Sequence, residues 1–270
     1  MEDKNIVTEL PRKLYLRLTP TSLCFARYEL RDEPVFAFSE YRVRPQTSLS
    51  VNLRDAMQTE KLLSAPAMVT HVMVGGPVTL VPLADFQEED CATIYDYLFP
   101  NDQPHKVFYD TIPSASAVLL FSLEEQICQT LESLFDGVDY HSTFTPLLRH
   151  FAKKTMASGC AQKIFVYGHE QGVDIAAYDG NRLIMVNTFP ASNPVDVAYY
   201  VFNIARSLSG DFSQLAFYIS GNEHRRDLIS SEIQKYATEV FVLHPTAEFN
   251  RHVVSVSDDV PYDMMTLLAE

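Results

Sequence analysis

Residues 163–189 read KIFVYGHEQGVDIAAYDGNRLIMVNTF. Lys163 to Tyr167 is an apolar, aromatic and β-branched run, the composition of a strand. Gly168 to Gly172 is a polar turn, and Val173 to Tyr178 is a second strand. Asp179-Gly180 is a two-residue hairpin signal, because glycine accepts the positive φ that such turns need. Leu183 to Phe189 is the third strand of a meander. Pro194 then opens a helix at the position where its missing N–H costs nothing, with Val195, Ala198, Val201, Phe202, Ala205 and Leu208 along one side. Leu215 to Ile219 is a strand ending at Ser220-Gly221, and a helix from Glu223 to Tyr236 follows.

The same order occurs earlier in the chain. Leu14 to Leu18, Leu23 to Leu30 and Val35 to Val43 form a meander, and a helical stripe runs through Val51, Leu53, Ala56, Met57, Leu62 and Leu63. Val69 to Val74 is a strand closed by Gly75-Gly76, and a helix is predicted over Phe86 to Phe99. Lys13 and Lys163 open the two meanders, and Gly76 and Gly221 close the two fourth strands, at a nearly constant spacing. Repetition of one element order at one spacing is the mark of an internal duplication. The expectation is an α/β chain of two lobes, residues 1–158 and 159–270. The boundary falls in Ala157-Ser158-Gly159, and a middle segment of strands and helices over 105–155 belongs to the first lobe. After Val240, one more strand and a short apolar end, Met264 to Leu268, complete the second lobe.

Composition narrows the function. The 270 residues carry 35 Asp and Glu against 21 Lys and Arg, a formal charge of −14. Such a surface repels nucleic-acid backbones and anionic membranes. Arg225-Arg226, after His224, is read as a solvated helix face. Cys24, Cys91, Cys128 and Cys160 form no Cys-x-x-Cys pair, and reduced thiols in a cytoplasmic protein are expected. No apolar run suits a secretory signal or a membrane span: the uncharged stretch Ser64 to Ala84 is broken by glycines and prolines and suits two short strands.

A three-strand meander followed by a helix and a parallel strand, repeated in two lobes, resembles the actin-like ATPase (ribonuclease H-like) fold. The whole chain is similar to a bacterial family of unknown function with that fold. The likeness rests on the Leu14-Tyr15-Leu16 hairpin, the segment His105 to Phe121, the hairpin His169 to Gly180, and Val260-Pro261-Tyr262-Asp263 with Leu267-Leu268. The chain is also distantly similar to the actin-like proteins of pilus assembly and type II secretion. Active members of the superfamily hold nucleotide between their lobes, using two Asp-x-Gly turns and a Gly-rich adenosine loop. The glycines bring backbone N–H groups to the phosphates, and the carboxylates position Mg²⁺.

Here the first turn is Arg17-Leu18-Thr19-Pro20, without a carboxylate and with a proline that removes a donor. The second is Tyr167-Gly168-His169-Glu170, and the adenosine loop is reduced to Ser220-Gly221-Asn222. The resemblance thus implies the fold without the ATPase residues. If any cofactor binds in the cleft, ATP with Mg²⁺ is the candidate, and Thr19, Thr21, Gly168, His169, Asp174 and Gly221 are the residues placed to meet it. The ordinary reading of Asp174 is an outward strand position.

Other chemistries find no support. His169-Glu170 lacks a second histidine at 173, His141 and His150 do not have metal-ligand spacing, and no phosphate loop or nucleophile elbow is present. Glu88-Glu89-Asp90 and Glu124-Glu125 sit at helix starts, where negative charge is favoured. The leading expectation is therefore a non-catalytic scaffold that binds a protein partner. The alternative is a nucleotide-binding protein or phosphotransferase, and self-association is compatible with both.

Overall fold

The computed structural model describes residues 13–29, 35–64, 67–155, 162–208, 212, 215–250, 252 and 259–270. The expected domain boundary at 157–159 lies outside these residues, as does Cys160. Two compact units are present, residues 1–73 with 125–140 and residues 74–124 with 141–270; the cut passes through two continuous strands, β4 and β8.

The first unit is built on β1 (Lys13–Leu18), β2 (Ser22–Glu29), β3 (Val35–Arg42), β4 (Val69–Val74) and, after an interruption, β8 (Val138–Ser142). They form one sheet in the order β3-β2-β1-β4-β8. β1 and β2 pair antiparallel with Leu16 opposite Phe25, both fully buried, so alternation sends their side chains to the core. Helix α1 (Leu49–Thr59) starts at Ser48, whose hydroxyl accepts the Val51 N–H. Its buried Asn52 accepts the Arg44 N–H at 2.9 Å and donates to Thr47 Oγ1 at 2.8 Å, which fixes the entry into the helix. Tyr41 and Arg44 both donate to Asp55 on α1, each at 2.7 Å. Helix α3 (Glu125–Leu134) packs beside α1 and buries Ile127, Cys128 and Leu131.

The second unit begins with β5 (Thr79–Pro82), α2 (Cys91–Leu98), β6 (His105–Ile112) and β7 (Ala117–Glu124), whose strands form a sheet in the order β5-β7-β6. The helix predicted over Phe86 to Phe99 is shorter than expected: two single 3-10 turns, Leu83–Asp85 and Glu88–Asp90, precede α2. Val81, Cys91, Tyr95, Val118 and Leu120 make its small core. Helix α4 (Phe144–Thr155) follows β8.

The meander of the opening stretch is β9 (Gln162–His169), β10 (Gly172–Asp179) and β11 (Arg182–Pro190). Helix α5 (Pro194–Leu208), β12 (Leu215–Gly221), α6 (Glu223–Ile233), β13 (Val240–Val242), the four-residue α7 (Pro245–Glu248) and α8 (Tyr262–Leu268) complete the chain. The sheet order is β11-β10-β9-β12-β13, with β12 parallel to both β9 and β13. Third, second, first, fourth, fifth is also the order in the first sheet, so the duplication read from the sequence is present as topology. Ile164, Val166, Val173 and Ile175 on the strands meet Val197, Val201, Ile229 and Ile233 on α5 and α6 in one core. The apolar end expected to dock is α8, which buries Met264, Met265 and Leu268 and packs on α4 and β12. Cys24, Cys91 and Cys128 are buried and not in disulfides. Among the described residues, no helix is long and apolar enough to cross a membrane.

Candidate functional site: the strand ends of the second unit

β9 and β12 run parallel and finish together, with Gly221 opposite Gly168. Gly221 has φ +119°, and a Cβ there would overlap the Gly168 carbonyl. A Cβ on Gly168 would lie 2.8 Å from Ile229 Cδ1 of α6 and 3.4 Å from Arg225 Cγ. A Cβ on Gly172 would overlap the Phe189 carbonyl. Gly172 and Gly221 are thus required by backbone approaching backbone, whereas Gly168 meets only side-chain atoms of α6.

The carboxylate in this region is Asp174, directly opposite Thr188 in the β10–β11 register. It is 6% exposed, so the expectation of an outward strand position is wrong. The same carboxylate oxygen accepts the Thr188 hydroxyl at 2.7 Å and lies 3.5 Å from His169 Nε2. A buried carboxylate has to be compensated in this way, because the charge is costly away from water.

Arg225 and Arg226 also depart from expectation. Arg226 is 3% exposed, with Asp227 at 3.0 Å and Glu223 at 4.0 Å. Arg225, in the first turn of α6, donates through Nη2 to the carbonyls of Gly172 and Ala191. It ties α6 to the β9–β10 turn and to the segment after β11. Burial pushes its pKa below the ordinary arginine value. A basic doublet on a helix reads as a solvated face; nothing local signals that Arg225 reaches the carbonyls of Gly172 and Ala191.

Thr19 and Thr21 belong to the first unit, in the β1–β2 turn. Thr19 Oγ1 donates to the Ser22 carbonyl and accepts the Ser22 N–H, both at 3.0 Å, and Thr21 Oγ1 is 3.4 Å away. This is a self-contained hydroxyl turn. The structure therefore brings Gly168 to Gly221 and His169 to Asp174, and pairs Thr19 with Thr21.

A separate cleft of about 320 Å³ in the second unit is lined by His150, Lys153, Glu248, His252, Thr266 and Glu270, none of them singled out as a ligand. His150 Nε2 is 3.2 Å from Glu248 Oε2 and 3.1 Å from the Tyr262 hydroxyl, and Lys154 Nζ is 2.5 Å from the same Glu248 oxygen. Burial raises the Glu248 pKa, but hydrogen bonds from His150 and Lys154 outweigh it and hold the carboxyl below the ordinary glutamate value.

A solved structure from Bacteroides thetaiotaomicron VPI-5482, described as a protein with actin-like ATPase fold and unknown function, superposes with a TM-score of 0.81 at 19% identity. The match covers 95% of this chain and 99% of that one. A PilM-PilN type IV pilus biogenesis complex matches with a TM-score of 0.60 at 11% identity, over 97% and 98% of the two chains. No curated protein matches the chain. These likenesses establish an actin-like ATPase fold. Residues 2–240 match the family described as "Protein of unknown function (DUF3822)", and the chain belongs to that family.

Proposed function

We propose that the protein is a non-catalytic actin-like scaffold that binds a protein partner. The observation that carries this reading is the state of the second unit's strand ends. Phosphate binding needs backbone N–H groups facing open space and a carboxylate able to hold Mg²⁺ through water. Instead, Gly168 is packed under Ile229 and Arg225, and the Asp174 oxygen is shared by Thr188 and His169. In the first unit, the matching turn has Thr19-Pro20 where active relatives carry a carboxylate, and its hydroxyl is spent on Ser22. The donor set does not fit Mg²⁺ with a nucleotide.

Support for a protein partner comes from the fold comparison, in which one similar structure is itself a pilus biogenesis complex. The charge of −14 disfavours nucleic acid as the partner. A nucleotide-binding role retains one favourable feature: Gly221 keeps a positive φ just before α6, whose N-cap Asn222 makes no side-chain cap. ATP turnover decides between them. With Mg²⁺ present, phosphate release should match the buffer blank. Release that saturates with ATP and disappears in Asp174→Asn would refute the scaffold reading.

A further inference from the structure

We infer that the outward face of α5 docks a second copy of this chain about a two-fold axis. The helix carries two stripes. Val197, Ala198, Val201, Ile204 and Ala205 are buried in the core of its own unit. On the opposite side, Val195, Tyr199, Phe202 and Arg206 follow one another at i, i+4, i+7 and i+11, the spacing of a helix–helix seam. Val195 is 61% exposed and Tyr199 64%, so Val195 stands apart from the buried stripe in which the sequence placed it. Phe202 is half-buried, and its ring meets the exposed Tyr236 edge-on at 5.4 Å. Tyr200 flanks Tyr199 with ring centroids 5.7 Å apart and stacks on Phe189 at 4.5 Å. Aromatic rings already held by neighbours lose little freedom when a partner covers them, and tyrosine suits a surface that is wet in one state and covered in another.

Charge indicates what covers this face. The chain carries −14, so two copies repel wherever their acidic surfaces meet. The outward face of α5 is balanced: Asp196 lies in its first turn, Arg206 in its last, and every residue between them is uncharged. Asp196 holds the Asn193 side-chain amide at 2.6 Å, which fixes its carboxylate at the helix start. Asp196 and Arg206 are symmetric about residue 201 and lie about 15 Å apart along the axis at 1.5 Å per residue. A second α5 laid antiparallel across the first at that level brings Asp196 of each copy to Arg206 of the other. The same half-turn sets Tyr199 of each copy between Phe202 and Asn203 of the other. A surface that is its own complement under a half-turn is what an isologous dimer requires. A strongly acidic or strongly basic partner finds no such complement here.

One helix face, roughly 22 Å long, is a small interface, so the dimer is reversible with a dissociation constant in the micromolar range. The contact is independent of the scaffold reading, because a chain that bound nucleotide could pair in the same way.

Sedimentation velocity of the full chain, from about 1 to about 300 µM, tests it. The weight-average mass should rise with concentration toward twice that of one chain. Tyr199→Asp should hold it at one chain throughout, while Tyr97→Asp, on the exposed side of α2, should leave the rise unchanged. Asp196→Lys and Arg206→Glu should each weaken the dimer about tenfold or more, since every copy then meets like charge twice. Mixing these two variants should restore it, because the mixed pair regains two opposite-charge contacts. Circular dichroism of each variant confirms that it is folded, and Tyr199→Asp decides the matter if a charge variant is not. A chain that stays monomeric over the whole range, as it would if a different protein covers α5, overturns the proposal. So does a dimer that survives Tyr199→Asp, or a mixture of the charge variants that pairs no better than either alone.

Discussion

Gly221, expected from the sequence at a ligand position, serves the fold. Its φ of +119° and its contact with the Gly168 carbonyl both exclude a side chain. Gly221→Ala should therefore destabilise the protein by about 1–3 kcal/mol, the range for a strained backbone position, as read from urea unfolding. Arg225→Ala should cost about 1.5–3 kcal/mol by the same measure, because two carbonyls lose a charged donor. If Arg225 were a solvated surface residue, the loss would be near zero. Sequence reasoning located Gly168, Gly221, His169 and Asp174 but not what each touches. Thr188 reaches Asp174 across a strand pair, and Arg225 reaches Ala191 from a helix; such contacts depend on register and packing, which one chain's residue types do not encode locally. The sequence sets His141 only against His150, while Asp110, at 2.8 Å from its ring, lies on another strand.

At the scale of elements, α7 and α8 are held to α4 by a compact polar cluster. His150 and Lys154 of α4 bond Glu248 at the end of α7, and the Tyr262 hydroxyl at the start of α8 meets the same His150 nitrogen. Because the folded Glu248 pKa is lowered, the cluster's stabilisation is fully present above the ordinary value of 4.5 and is lost as pH falls through the lower folded value. Glu248→Gln should lower the melting temperature at pH 7, and the gap to the unaltered protein should close as pH drops below 4.5. A gap independent of pH would show that the ionised carboxylate contributes nothing there. The strands of both meanders were readable from apolar runs and the Asp179-Gly180 turn, and α5 from its proline start. The start of α2 was not, since Phe86 to Asp90 is one apolar residue followed by four polar ones, a pattern that fits a first helical turn and the 3-10 turn Glu88–Asp90 equally well.

At the scale of the molecule, the duplication was legible because it is carried by element order, and both five-stranded sheets share that order. The expected division of the chain was simpler than the two units observed, since the first is interrupted by residues 74–124. An inserted sheet such as β5-β7-β6 has its own short-range signals, and strand runs alone do not say which neighbour it joins. Under the proposed scaffold reading, the ends of β9 and β12 serve internal packing and hold no nucleotide. Calorimetric titration of the purified full chain with Mg·ATP tests it most directly. The account predicts no saturable heat at millimolar nucleotide, for the unaltered protein and for Asp174→Asn alike. One-to-one binding at micromolar affinity, abolished by Asp174→Asn, would contradict it.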